Sequence, residues 1–143
     1  MSYQIPAIVK AAERVMAEIE IAVTRFPRAH RYTLGSDLRE QTMAVARLAH
    51  KTWRDRDHIS ERLEELSEAI DDLKLRMQLG QQVRAFASFA QFESLARLVG
   101  DLGRQCGGWK RRRNASGQNV RPARSAQRLS ILSSPGASSQ ANP

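Results

Sequence analysis

Apolar residues return along this chain at alternating steps of three and four, the spacing that lines one face of an α-helix. Four such stretches are present. The first spans about residues 5–25, with Ile5, Ile8, Ala12, Val15, Ile19, Ala22 and Phe26 on its stripe. In the second, about residues 34–53, the stripe runs Leu34, Leu38, Thr42, Val45, then Leu48 or Ala49, and Thr52. A third carries Ile59, Leu63, Leu66, Ile70, Leu73, Met77 and Val83, and the fourth carries Phe89, Phe92, Leu95, Val99, Leu102 and Cys106.

Local signals set the expected boundaries. Pro6 suits a first helical turn, and Phe26-Pro27 ends the first helix because the residue before proline is pushed out of helical geometry. Thr33 is placed to cap the second helix and Asp57 the third, which is expected to run through Gly80 to about Ala85. Ser88 followed by Gln91 predicts a capping box for the fourth. Gly107-Gly108 is expected to stop that last helix, leaving Trp109 as an anchor before Lys110-Arg111-Arg112-Arg113.

Four amphipathic helices near twenty residues long, joined by short connections, predict an all-α fold, an antiparallel up-down-up-down four-helix bundle. The expected domains are a bundle over residues 1–109 and a disordered, basic, flexible C-terminal tail over 110–143. That tail is rich in Ser, Gly, Pro, Asn and Gln, and its one apolar cluster, Leu129, Ile131 and Leu132, is too small to order it alone. Charge divides along the same line. Residues 1–108 hold 16 Lys/Arg and all 15 Asp/Glu, whereas 109–143 hold seven cations and no acid, so most of the net +8 lies in the tail.

The start of the chain has no basic segment leading into an apolar core, and no run is long enough to span a bilayer, so a soluble, cytoplasmic protein without membrane contact is expected. Cys106, the one cysteine, falls on an apolar stripe and reads as a buried reduced thiol.

No catalytic pattern emerges. His30, His50 and His58 lack partners at ligand-type spacings, and none of the Glu-x-x-His pairs of a di-iron bundle is present. The acidic run Glu61, Glu64, Glu65, Glu68, Asp71 and Asp72 reads as a solvated face or one matched to a basic neighbour. Gly100, Gly103, Gly107 and Gly108 lack the strand that a phosphate-cradling loop requires. The expectation is a non-enzyme with no cofactor and no metal.

The remaining functional signal is cationic. Arg25, Arg28 and Arg31 surround the first turn, Arg39 lies about two turns into the second helix, and Arg104 with Lys110, Arg111, Arg112 and Arg113 closes the fourth. In an up-down bundle these two groups fall at opposite ends. Both are candidates for nucleic-acid contact. Neither shows interleaved aromatics, so contacts mainly to phosphates are expected.

Two stretches carry a family resemblance. Phe26-Pro27-Arg28-Ala29-His30-Arg31-Tyr32-Thr33-Leu34-Gly35 resembles the FP-(K/R)-x-x-RYTLG turn between the first two helices of the accessory variability determinant (Avd) proteins of diversity-generating retroelements. Phe89-Ala90-Gln91-Phe92-Glu93 followed by Gly103-Arg104-Gln105-Cys106-Gly107-Gly108-Trp109 resembles their last helix and its G-R-x-x-G-G-W ending. The match covers roughly residues 5–110. Four-helix proteins encoded by intervening sequences in bacterial large ribosomal RNA genes share the first motif as FP-x-x-E-RY-x-L; the Gly-Gly-Trp ending favours Avd. What the resemblance implies is a homopentameric barrel that binds the retroelement's reverse transcriptase and its template RNA and cDNA, supporting adenine-mutagenised cDNA synthesis without chemistry of its own. Off-stripe Met16, Ile21, Met43, Leu75, Leu79 and Leu98 exceed what a four-helix core requires, and subunit contacts supply a reason for them. The near-neutral bundle and the long tail depart from the family pattern. The alternative is a structural helical-bundle adaptor, related to the intervening-sequence proteins, whose basic tail is incidental.

Overall fold

The computed structural model describes residues 5–118, which are helical except for short connections. Helix α1 spans Ala7–Thr24, a single turn α2 spans Arg28–Arg31, and the other long helices are α3 (Leu34–Arg54), α4 (Ile59–Gln82) and α5 (Phe89–Gln118). A 3-10 turn, Arg56–His58, leads into α4. The chain divides into two units at the boundary between Lys110 and Arg111.

The expected stripes form the core. Val9, Val15, Ile19, Leu38, Val45, Leu63, Leu66, Ile70, Leu73 and Leu102 are buried, with Phe26 closing one end. Burying each such side chain stabilises the fold by roughly 1.5–3 kcal/mol before entropy is charged against it. Of Leu48 and Ala49 on α3, Ala49 is the buried one and Leu48 is half-buried. The two threonines on that stripe are fully buried and satisfied within the helix: Thr42 Oγ1 donates to the Arg39 carbonyl at 2.9 Å and Thr52 Oγ1 to Leu48 at 2.7 Å.

Contacts between neighbouring helices run in reversed register. Glu13 meets His50 while Glu20 meets Arg39, joining α1 to α3. Arg76 bonds Asp37 while Gln41 donates to the Ala69 carbonyl, joining α3 to α4. Cys106 Sγ lies 3.8 Å from the Leu63 carbonyl while Phe92 and Val99 share a groove with Met77, joining α4 to α5. Burial pushes the Cys106 thiol above its ordinary value.

Several boundaries differ from expectation. Ile5 precedes α1 and is 37% exposed. Neither Thr33 nor Asp57 caps a helix with its side chain. Thr33 Oγ1 is turned back toward His30, and Asp57 lies inside the 3-10 turn, where Asp55 instead accepts bonds from His58 and Arg62. The Ser88 cap forms as expected: Gln91 N donates to Ser88 Oγ at 3.0 Å. The Gln91 amide oxygen reaches back to Ala87 N, one residue earlier than in the standard box.

Helix α4 ends at Gln82 instead of continuing to Ala85, and Val83 is exposed. Arg84 N donates to the Gln81 carbonyl and Ala85 N to Gly80, the pair of bonds of a Schellman ending. The residue that must turn left-handed there is Arg84, with φ 58°, where glycine is the usual choice. The cost of about 1–2 kcal/mol is offset by the burial that follows, Ala85 at 0% and Phe86 at 6% exposure.

Gly107-Gly108 does not stop α5, which runs on through the cationic run to Gln118. No glycine takes positive φ among the described residues. Each glycine costs a helix about 1 kcal/mol relative to alanine. Beyond them, Trp109 packs on the core and Lys110 Nζ pairs with Glu64 on α4 at 2.9 Å, contacts that hold the helix past its weak point. The part of the expected flexible tail over 110–118 is therefore helical, and Leu129, Ile131, Leu132 and the rest of 119–143 lie outside the described residues.

Of the off-stripe apolar residues, Ile21, Met43, Leu75 and Leu79 are exposed, whereas Met16 and Leu98 are half-buried against the core.

Candidate nucleic-acid interface

The first-turn cations stand on a connection with a definite shape. Arg25 follows α1, its amide bonded to the Ala22 carbonyl, and Pro27 then starts the single turn α2. Arg25 and Arg28 are exposed, and their guanidinium groups have no ion-pair partner among the described residues. Arg31 behaves differently: its Nη2 donates to the Phe26 carbonyl at 3.2 Å, and its Nε is buried without a partner. It braces the turn. Gly35 lies beneath it, where a methyl group would meet Val23 Cγ1 at 2.7 Å, so this residue type permits α3 to enter close against α1.

The other expected contact residues are unequal. Arg39 Nε is tied to Glu20 at 3.0 Å, and Arg104 to Asp101 at 2.7 Å within its own helix. Both pairs are solvated and contribute little to stability. Lys110 is held by Glu64, whose hydrogen bond raises its pKa. Arg111, Arg112 and Arg113 are exposed on consecutive positions of α5 and have no ion pair among the described residues. Six of the nine residues thus have no carboxylate attached among the described residues; Arg31 is occupied by the Phe26 carbonyl, which leaves Arg25, Arg28, Arg111, Arg112 and Arg113 as exposed cations.

The acidic run on α4 divides in the same way. Glu64 pairs with Lys110, Glu65 with Arg62 and Asp72 with Arg76, while Glu61, Glu68 and Asp71 face solvent. His50 and His58 each find one carboxylate, Glu13 at 2.8 Å and Asp55 at 3.0 Å. Among the described residues no three His, Cys, Asp or Glu side chains gather as a metal-binding set, and no helix is long and apolar enough to cross a membrane.

Three residues at the first-turn end escaped the sequence reading. Tyr32 is 69% exposed, and Phe89, expected on the α5 stripe, is 62% exposed because Phe86 and Phe92 fill the space below it. Arg84 is exposed on its left-handed turn. A helix carried on to Ala85 hides that turn, and no residue type announces it.

Comparison with protein-family models, with curated proteins and with solved structures finds no match to this chain.

Proposed function

We propose that this protein is a non-catalytic accessory subunit of a diversity-generating retroelement, binding the reverse transcriptase and the template RNA and cDNA during mutagenic reverse transcription. The observation that carries the reading is the segment Phe26 to Gly35. Three of its residues shape the connection from α1 to α3: Phe26 plugs the core, Arg31 braces the turn, and Gly35 allows close entry. These residues stand at the junction of the first two long helices, the position of the Avd turn that the segment resembles.

On this reading the protomer is an up-down-up-down bundle, supported by the reversed registers of the helix contacts. It assembles in the cytoplasm as a homopentamer, supported by the exposed Ile21, Met43, Leu75 and Leu79. Arg25, Arg28, Arg111, Arg112 and Arg113 supply phosphate contacts. The ion pairs that occupy Arg39, Arg104 and Lys110 favour the second reading, a structural adaptor, for that part of the surface.

The test uses the intact chain and a variant lacking residues 111–143. RNA affinity measured against salt should show a shallower slope for the truncated chain, by about 0.7–0.9 per lost phosphate contact. Pull-down of the reverse transcriptase encoded in the same genomic neighbourhood should survive truncation. A chain that binds neither RNA nor that polymerase, and that light scattering shows to be monomeric at micromolar concentration, is the adaptor or something else.

A further inference from the structure

The end of the bundle formed by the α1–α3 and α4–α5 connections carries several cations and no carboxylate in either connection. Phe26 and Phe86 meet edge to face at 5.1 Å, Phe86 meets Phe92 at 5.4 Å, and Phe92 meets Phe89 at 6.0 Å, which brings the two connections together. Their segments, residues 24–36 and 77–92, contain Arg25, Arg28, Arg31 and Arg84 but no Asp or Glu. The first carboxylate met along each long helix leaving this end is Glu20, Asp37, Asp72 or Glu93. Each is already paired to an arginine, Arg39, Arg76, Arg76 and Arg97 respectively. Arg25, Arg28 and Arg84 are therefore unbalanced cations, and Tyr32 and Phe89 expose aromatic rings within the same two segments.

Arg84 adds an independent observation. Its backbone is left-handed at a helix ending that glycine would serve without strain. A non-glycine residue held left-handed at an exposed turn is the kind of local rule-breaking that concentrates at functional sites. Cations alone fit any polyanion. Aromatic rings exposed in the same segments add a surface on which unpaired bases stack, and a duplex does not offer those faces.

We propose that this end of the bundle binds single-stranded polynucleotide, with Arg25, Arg28 and Arg84 on phosphates and Tyr32 and Phe89 as stacking platforms for bases. The proposal rests on the nucleic-acid reading above and assigns to it a surface and a strand state.

The experiment compares the full-length chain with Arg84→Gly, with Arg25→Gln/Arg28→Gln and with Tyr32→Ala. Fluorescence anisotropy is read with labelled oligouridylate, labelled oligothymidylate and an RNA duplex, with polyphosphate as a base-free competitor. Arg84→Gly should melt at or above the parent temperature and still lower the salt slope by about 0.7. Tyr32→Ala should weaken oligouridylate binding roughly five- to hundredfold and leave polyphosphate competition unchanged. Equal losses on oligouridylate and oligothymidylate support a surface that reads strand state; a loss confined to oligouridylate supports one that also uses the 2′-hydroxyl. Parent-like binding by all three variants, in a chain that does bind these probes, overturns the assignment and leaves the broader reading standing. Absence of binding by the parent overturns both. Tighter binding of the duplex, or polyglutamate competing as well as oligouridylate, overturns the stacking role and marks the end as a contact for another class of partner.

Discussion

Replacing glycine by alanine at four positions of this bundle should give opposite signs at different sites, because the same added methyl meets different surroundings. At Gly35 it meets Val23 Cγ1 at 2.7 Å, the His30 carbonyl oxygen at 3.4 Å and the Phe26 ring at 3.5 Å. Val23 is 0% exposed and Phe26 1%, so neither has space to yield, and the carbonyl belongs to the backbone. Overpacking of this kind costs about 1–3 kcal/mol. The helix propensity gained is at most about 1 kcal/mol, and less in a first turn, so a net loss of about 1–2 kcal/mol is expected. At Gly80 the nearest atom, Phe86 Cε2, is 3.0 Å away on a buried ring, which predicts a smaller loss. At Gly103 the near atom is the mobile Lys74 Nζ at 3.0 Å, so the two effects should roughly cancel. At Gly100 only Arg104 Nη1 comes within reach, at 3.6 Å, an ordinary contact. There alanine should stabilise by about 0.5–1 kcal/mol. Thermal unfolding followed by far-ultraviolet circular dichroism, at one protein concentration because the midpoint of any self-associating protein shifts with it, converts about 1 kcal/mol to roughly 3–5 °C. Gly35→Ala should melt roughly 4–8 °C below the parent and Gly100→Ala roughly 2–4 °C above it. If Gly35→Ala matched or exceeded Gly100→Ala, the close entry of α3 against α1 would not be the constraint at that position.

Two further outcomes follow from local geometry. Ser88→Ala removes the oxygen that accepts from Gln91 N at 3.0 Å and should cost about 1 kcal/mol in urea unfolding; an unchanged midpoint would contradict the cap. His58 is held by Asp55, whose hydrogen bond raises the imidazole pKa, while His58 in turn lowers that of Asp55. With the folded His58 value raised, its contribution is complete below about pH 6.5 and is lost as pH rises through the folded value. With the folded Asp55 value lowered, its contribution is complete above about pH 3.9 and is lost as pH falls through the folded value. The pair therefore supports the α4 entry most in the window between. An NMR titration of His58 should give a value above about 6.5 that falls toward it in Asp55→Asn; titration at or below that value in the parent would refute the contact.

The four amphipathic helices were legible in the chain because burial selects one face of a helix, and a three-four spacing records that face directly. Pro27 and the Ser88–Gln91 pair were legible for a similar reason, since their effects act within a few residues. Gly107-Gly108 misled for the opposite reason: glycine lowers local helix stability, but beyond it Trp109 packs on the core and Lys110 pairs with Glu64, far away in sequence. The ending of α4 was hidden because the burial of Ala85 and Phe86 against Phe26, a tertiary gain, is what sustains a left-handed Arg84. The candidate site divides along the same line. Cationic residues can be counted in a sequence, and Asp101 three positions before Arg104 marks a pair within one helix, but Arg39 and Lys110 look no different there from Arg25 or Arg28. Only folding decided that those two would meet a carboxylate, because Glu20 and Glu64 reach their partners across helix pairs. It also drew two acid-free segments, about fifty residues apart in the chain, to one end of the bundle.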